Sequence, residues 1–211
     1  MSRRGRGGRP RRRVPSKPRK LSLLVFTEGE KTEQQYLKNR YAMVREAVAI
    51  EFGGSGAPTN IVERAINAKR RAAREQATAK GRGYDQIWCV FDADQHPNID
   101  AIRQRAEQAG IRVAFSHPCQ ELWFVLHFED RFAAMTTRQA RERSKKLIGC
   151  EKSLRRSSLA RLDDGYDDAV LRAKALERKH RDDGSPVGAN PSTSIWRLTE
   201  LLRTSSERIE G

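Results

Sequence analysis

Short apolar segments alternate with amphipathic helical patterns in the first 132 residues, and this alternation most constrains the fold of the chain. The apolar segments have the length of strands and are too short for buried helices. They lie at residues 21–26, 50–52, 87–91 and 111–115. Strands that alternate with helices form a largely parallel sheet covered on both faces by helices. The sequence therefore predicts an α/β fold with a mostly parallel sheet.

The pattern changes after the last of these strands, and the chain divides into four predicted regions. A basic tail at residues 1–20 precedes the α/β domain at residues 21–132. Residues 133–204 carry helical patterns and are expected to pack on the sheet domain as a helical annex, followed by a C-terminal tail at residues 205–211. Within the annex, residues 150–165 are polar and are predicted to be irregular.

The N-terminal tail contains ten of the 42 basic residues of the chain and none of its 27 acidic residues. Such a segment repels itself and buries no apolar surface, so we expect it to be disordered. Its charge density favours a nucleic-acid-binding arm, because Lys and Arg displace phosphate counterions. A solubilising tail is the alternative. The residues concerned are Arg3, Arg4, Arg6, Arg9, Arg11, Arg12, Arg13, Lys17, Arg19 and Lys20.

Three isolated cysteines, Cys89, Cys119 and Cys150, form no Cys-x-x-Cys pair. Structural zinc and a disulfide framework are therefore not expected. The absence of an export-signal pattern predicts a cytoplasmic protein. No apolar run is long enough for a membrane-spanning helix, so no membrane association is expected.

Acidic residues follow two of the predicted strands. Glu28 comes after the first strand, and Asp92 and Asp94 come after the strand at residues 87–91. Ligand sites in α/β proteins collect at the carboxyl ends of strands, and residues i and i+2 of an extended segment point the same way. If the two strands are neighbours, the three carboxylates converge, which suits Mg²⁺ or Mn²⁺. The alternative is that they are caps and turn residues.

These motifs resemble those of known proteins. Glu28-Gly29 and Asp92-Ala93-Asp94 are similar to the Glu and Asp-x-Asp motifs of the Toprim fold. Four stretches resemble the RloB-like family, a prokaryotic group associated with phage defence and restriction loci. They are "TEGEKTEQQYL", "VFDADQHPN", "SHPCQELWFVLHFE" and "NPSTSIWRLTELL". The resemblance implies a Toprim-like, metal-dependent nuclease that works with an ATPase encoded nearby.

Four further charged residues near the motifs are candidates for the site. Glu30 is a possible outer metal ligand, or it neutralises Lys31, which itself either contacts the scissile phosphate or lies on the surface. Glu33 is interpreted as an acid in the first turn of a helix that begins near residue 32. Glu121 precedes a buried aromatic stretch and either joins the site or marks a helix N-terminus.

Three more residues form a second tier of candidates. His117 and His127 are possible general bases near neutral pH, although a structural role is the more common one for such histidines. Asn190 either reaches the site or shapes the turn before the last helix.

The function expected from these residues is metal-dependent cleavage of a phosphodiester in DNA or RNA. The resemblance to the RloB-like family implies that this activity serves anti-phage defence. The alternative is a non-catalytic nucleic-acid-binding or scaffold subunit of a defence complex. No Gly-x-x-x-x-Gly-Lys motif is present, so an ATPase would be a separate partner. We expect it to dock on the annex, through the helices that contain "TTRQARERSKKL" and "LTELLRT". Homo-oligomerisation is a further possibility.

Overall fold

The computed structural model describes residues 19–78, 81, 83–93, 96, 98–149 and 153–210. These residues form five strands and eight helices. The strands are β1 (Leu21–Thr27), β2 (Val48–Ser55), β3 (Gln86–Asp92), β4 (Arg112–His117) and β5 (Ser192–Thr193). The helices are α1 (Thr32–Ala42), α2 (Pro58–Ala77), α3 (Ile99–Gln108), α4 (Glu121–Leu126), α5 (Thr137–Ile148), α6 (Arg156–Asp164), α7 (Tyr166–Asp182) and α8 (Ile195–Glu210).

The strands form one sheet in the order β2-β1-β3-β4-β5. The first four strands in the chain are parallel to their neighbours, and β5 pairs antiparallel with β4 at its carboxyl end. The predicted α/β fold with a mostly parallel, helix-covered sheet is therefore confirmed. The two-residue β5 was not predicted, because so short a strand has no periodicity of its own.

The prediction that residues 150–165 are irregular is wrong, because they contain α6. This helix is mostly polar, and its buried residues are Ser158 and Leu162. The Ser158 hydroxyl donates to the backbone oxygen of Ile148 at 2.9 Å. Tertiary contacts of this kind, rather than a strong apolar stripe, hold α6 in place, and the sequence pattern alone does not reveal them.

Two apolar clusters cover the two faces of the sheet. The smaller one joins β1 and β3 to α2 and α3, with Ile61 and Ala106 among its buried residues. The larger one is shared between the sheet and residues from both sides of position 133, including Trp123, Leu176 and Leu198. The helices after residue 133 therefore contribute to the main core, while the predicted domain boundaries remain predictions. No helix in the described part of the chain is long and apolar enough to cross a membrane.

The central strands β1 and β3 bring their carboxyl ends together. Thr27 is in register with Val90, and the next backbone N–H, that of Glu28, donates to the Val90 oxygen at 2.9 Å. On the other side of β1, Gly53 of β2 packs against the Phe26 ring so closely that a Cβ would lie 2.3 Å from it. A larger residue at position 53 would have to displace this ring, so glycine allows β2 to pack directly against the last residues of β1.

Candidate functional site

Glu28 and Asp92 lie side by side at the carboxyl edge of the sheet. The Asp92 backbone N–H donates to Oε2 of Glu28 at 3.1 Å. The sheet order confirms that the strands before these two acids are direct neighbours. Asp94, the third predicted acid, lies outside the described residues.

His96 is the second partner of Glu28, and sequence reasoning did not single it out. Its Nε2 lies 2.6 Å from Oε1 of Glu28, and both side chains are partly exposed. The available signal was the segment "DADQHPN", which places a histidine four residues after Asp92 at a strand end. A carboxylate at this distance fixes the orientation of an imidazole ring.

Glu33 lies in the same cluster, although its position in the first turn of α1 suggested an ordinary surface acid. It is only 7% exposed, and its Oε2 accepts the backbone N–H of Gly29 at 3.0 Å. Burial raises the pKa of the Glu33 carboxyl to about 8, and the nearby charges of Glu28 and Glu121 add to this rise. Glu33 is therefore largely protonated at neutral pH.

Asp92 is 9% exposed. Burial raises its pKa well above the ordinary value, and the charge of Glu33 raises it further, while a hydrogen bond from the Gln120 backbone lowers it. Glu121, at the start of α4, also acts on Asp92 by charge repulsion. Glu28, Glu33, Asp92 and Glu121 thus converge on one region, where added positive charge would relieve their repulsion.

A cleft of about 1170 Å³ contains these four acids. Its opposite wall is α5, which contributes the cations Arg138, Arg141 and Lys145, and also Glu142, whose Oε1 lies 3.8 Å from Nη1 of Arg138. The spacing i, i+3, i+7 places these three cations on one face of the helix. Nε of Arg141 lies 3.8 Å from Oε1 of Glu121, so the two walls meet there. The sequence showed α5 as a charged helix but not which face it turns toward the acids.

Both ends of α5 are fixed by local sequence. Thr136 and Gln139 form a reciprocal capping box at its start, and Gly149 ends it with φ at +73°. A residue with a side chain is strained in that conformation, whereas glycine is not. The cationic wall is therefore held by a well-defined helix rather than by a loop.

Lys31 and Glu30 also border the cleft. Glu30 accepts the Ser55 hydroxyl at 3.1 Å, and Lys31 precedes the first residue of α1. Both therefore lie near the acids, as expected, and their predicted roles remain predictions.

The second-tier candidates lie outside the lining of this cleft. His127 is 3% exposed, donates through Nδ1 to the Trp123 oxygen at 2.8 Å, and has a pKa lowered by burial to about 3. Nδ1 of His117 bonds to the Gly188 oxygen at 2.9 Å. The Asn190 side chain bonds both to the N–H and to the oxygen of Met135, at 3.1 and 2.8 Å. These contacts favour the structural roles that the sequence offered as alternatives for the three residues.

Most of the predicted nucleic-acid-binding arm lies outside the described residues, which begin at position 19. Arg19 forms an ion pair with Asp85 at 2.9 Å, and Lys20 donates to the Arg45 oxygen at 2.5 Å. These two residues precede β1, so they lie at the end of the sheet opposite Glu28.

The fit of the cluster to a divalent metal ion rests on its oxygen donors and its excess negative charge. Glu28 and Asp92 supply carboxylates of the kind that Mg²⁺ and Mn²⁺ prefer. In the described residues no three His, Cys, Asp or Glu side chains are grouped closely enough to hold a metal. The two carboxylates therefore fit part of a metal site, and Asp94 is the further ligand that the sequence suggests.

Comparison with known families identifies a match over most of the chain. The model of the family described as RloB-like protein matches residues 23–202. None of the curated proteins matches the chain.

Proposed function

The chain belongs to the RloB-like family, and we propose that it is a Mg²⁺- or Mn²⁺-dependent phosphodiesterase that acts on DNA or RNA. The observation that carries the proposal is the opposition of two walls of one cleft. One wall holds the joined acids Glu28 and Asp92, and the other holds the cationic face of α5. Binding of a nucleic-acid backbone requires cations that contact its phosphates. Cleavage requires a carboxylate cluster at the scissile bond whose negative charge is balanced by a metal ion.

The residues that would hold the metal are Glu28, Asp92 and Asp94. A bound divalent ion supplies charge stabilisation to the scissile phosphate and lowers the pKa of water. A cation bound there would neutralise the acids and would also relieve the repulsion that, together with burial, raises the pKa of Asp92. Oxygen ligands of this kind are the usual protein ligands of Mg²⁺.

The other residues of the cleft bind, orient and transfer protons. Arg138 and Lys145 bind phosphates on either side of the reacting bond and set the direction of the strand. His96 does not line the cleft but contacts Glu28, which does. Glu28 orients the His96 ring through Nε2, and Nδ1 is the proposed acceptor of a proton from the attacking water. Glu33, protonated near neutral pH, accepts the Gly29 N–H and fixes the turn that carries Glu28.

We also propose that the protein acts in anti-phage defence together with an ATPase encoded nearby, on the basis of the family resemblance. A nuclease without a nucleotide-hydrolysing site of its own needs such a gate to avoid damage to the host. The docking surface expected from sequence, the charged and amphipathic faces of α5 and α8, stays a prediction. Leu198 and Leu202 of α8 are buried in the core, and part of α5 borders the cleft, so docking would use the remaining exposed residues of the two helices.

One observation favours the alternative, a non-catalytic nucleic-acid-binding subunit. The His96 ring already contacts Glu28 at 2.6 Å, so this carboxylate has a partner within the chain and does not depend on a metal for one. In this alternative the cleft binds the backbone through α5 and performs no chemistry.

Incubation of the purified protein with plasmid, single-stranded DNA and tRNA, with Mg²⁺, Mn²⁺ or EDTA, distinguishes the two functions. Asp92→Asn serves as the control for contaminating nucleases, and the neighbouring ATPase is added in a parallel series. Cleavage that requires metal and is lost in Asp92→Asn supports the enzyme. Binding without cleavage in every series supports the alternative.

A further inference from the structure

A second cavity, of about 930 Å³, lies at the outer edge of β4 and shares no lining residue with the carboxylate cleft. It exists because β5 is only two residues long and pairs with Ser116 and His117 alone. Beside the rest of β4, the described chain forms a space enclosed by α3, the end of α7 and the segment 184–194. A volume of this size is in the range of small-molecule sites.

The lining of this cavity has an excess of positive charge. It contains four arginines and two glutamates. Arg197 pairs with Glu177 at 2.9 Å, and Arg103 pairs with Asp100 at 3.3 Å. Arg112 and Arg181 are exposed and have no ion pair with any described residue. These two guanidinium groups are therefore available to an anion.

Buried polar atoms without partners are concentrated in the same lining. In the described part of the chain, five buried side-chain atoms have no hydrogen-bond partner, and three of them belong to lining residues. The three atoms are Nε of Arg103, Nδ1 of His180 and Oγ of Ser192. His180 is 7% exposed and Ser192 is 6% exposed. Buried polar groups without partners cost free energy, so this lining is less completely hydrogen-bonded than the rest of the described chain.

The cavity also has an apolar and planar part. The Arg103 guanidinium stacks on the Phe115 ring at 4.4 Å, and Trp88 and Ile111 line the same space. Gly188 packs so closely on Arg103 that a Cβ would lie 2.7 Å from Nη1. At the rim, Val187 is 86% exposed, which is unusual for an aliphatic side chain. A ligand with a planar group would cover this apolar surface.

We propose that this cavity binds a phosphorylated small molecule of the nucleotide class. Arg112 and Arg181 bind the phosphate, because both are exposed lining residues whose guanidinium groups have no ion pair with any described residue. The aromatic and aliphatic lining receives the base, since the cavity is much larger than inorganic phosphate requires. The site is distinct from the carboxylate cleft, and the inference does not depend on the nuclease activity.

The test is isothermal titration calorimetry and thermal melting with AMP, ATP and inorganic pyrophosphate, in EDTA so that the carboxylate cleft holds no metal. We expect a nucleotide to bind and to raise the melting temperature more than pyrophosphate does. Arg181→Ala should weaken binding at least tenfold. Arg178→Ala is the matched control, because Arg178 is exposed on the same helix and does not line the cavity.

Arg112→Ala separates a ligand site from a structural role. Because Arg112 is exposed and has no ion pair with any described residue, the substitution should leave the melting temperature of the free protein unchanged and still weaken nucleotide binding. The proposal is overturned if neither nucleotide binds, if Arg178→Ala weakens binding as much as Arg181→Ala, or if pyrophosphate binds as well as the nucleotides. Displacement of the nucleotide by a single-stranded oligonucleotide would assign the cavity to nucleic acid instead and would also overturn it.

Discussion

Glu28 and Asp92, 64 positions apart in the chain, are joined by a hydrogen bond of 3.1 Å from the backbone N–H of Asp92 to the Glu28 carboxylate. The bond exists because β1 and β3 are parallel neighbours, with Thr27 in register with Val90, so that Glu28 and Asp92 follow at the same edge of the sheet. The Glu28 side chain, at the end of β1, thus fixes the backbone of β3 at Asp92. Both groups are acids, so neither balances the negative charge of the other.

Replacing Asp92 by Asn tests whether this unit is built for a cation. If Asp92 only capped structure, its loss would cost about 1 kcal/mol. Because burial and neighbouring acids raise its pKa, we expect Asp92→Asn to leave the stability of the metal-free protein unchanged or to raise it. The variant should lose the rise in melting temperature that Mn²⁺ gives the wild type, and it should lose cleavage.

Asp167→Asn is the control for this experiment, because Asp167 is a mostly exposed aspartate on α7. It should respond to Mn²⁺ and cleave as the wild type does. An Asp92→Asn protein that still gains stability from Mn²⁺ and still cleaves would remove the acidic cluster from the proposed active site.

Glu33→Gln tests the buried carboxyl through the pH dependence of stability. The folded protein holds the Glu33 proton up to about pH 8, whereas the unfolded chain releases it near 4.5. The contribution of this group to stability is therefore complete below pH 4.5 and is lost as the pH rises through 8. Glutamine stays neutral and still accepts the Gly29 N–H, so the variant should be more stable than wild type at pH 8.5, by roughly 1–3 kcal/mol.

Chemical denaturation of both proteins at pH 5.5, 7 and 8.5 in EDTA measures this difference. The fall in stability from pH 5.5 to 8.5 should be smaller in Glu33→Gln but not absent, since the raised pKa of Asp92 acts in the same direction. Parallel pH profiles for the two proteins would show that Glu33 is ionised at neutral pH and would contradict the proposed positioning role.

The sequence predicted the sheet and the place of its acids, because short apolar runs and the acids after them are local signals. It did not predict the burial of Glu33, since the first turn of a helix is normally exposed. Here α4 packs against α1, with the Tyr36 ring in edge-to-face contact with Trp123 and Phe124. His96 and the cationic face of α5 were missed for a related reason. Their roles depend on which elements face each other, and periodicity within one element carries no such information.

The cationic wall predicts a defined effect on nucleic-acid binding. Arg138 is 84% exposed at the side chain, and it and Lys145 line the cleft. Replacing both by Ala should weaken binding to duplex DNA and reduce the slope of log K against log salt by about 2, if each contacts one phosphate. Lys146→Ala is the matched control, since Lys146 is an exposed lysine of the same helix that does not line the cleft. If Lys146→Ala weakened binding as much as the combined replacement of Arg138 and Lys145, the cleft would not be the binding surface.

The basic tail gives the last prediction, and the structure defines where the deletion should end. Arg19 pairs with Asp85 and Lys20 donates to the Arg45 oxygen, so these two residues belong to the folded unit. Removing residues 1–18 should therefore leave the melting temperature unchanged, whereas removing residues 1–20 should lower it slightly, because an exposed ion pair contributes at most about 1 kcal/mol. Both deletions remove at least eight cations and should weaken binding to plasmid and to tRNA alike, with a flatter salt dependence. Melting curves and salt titrations of the two truncated proteins and the full chain measure both effects. If the salt slope of the protein that lacks residues 1–18 equals that of the full chain, the tail does not contact nucleic acid, and binding rests on the α5 wall alone.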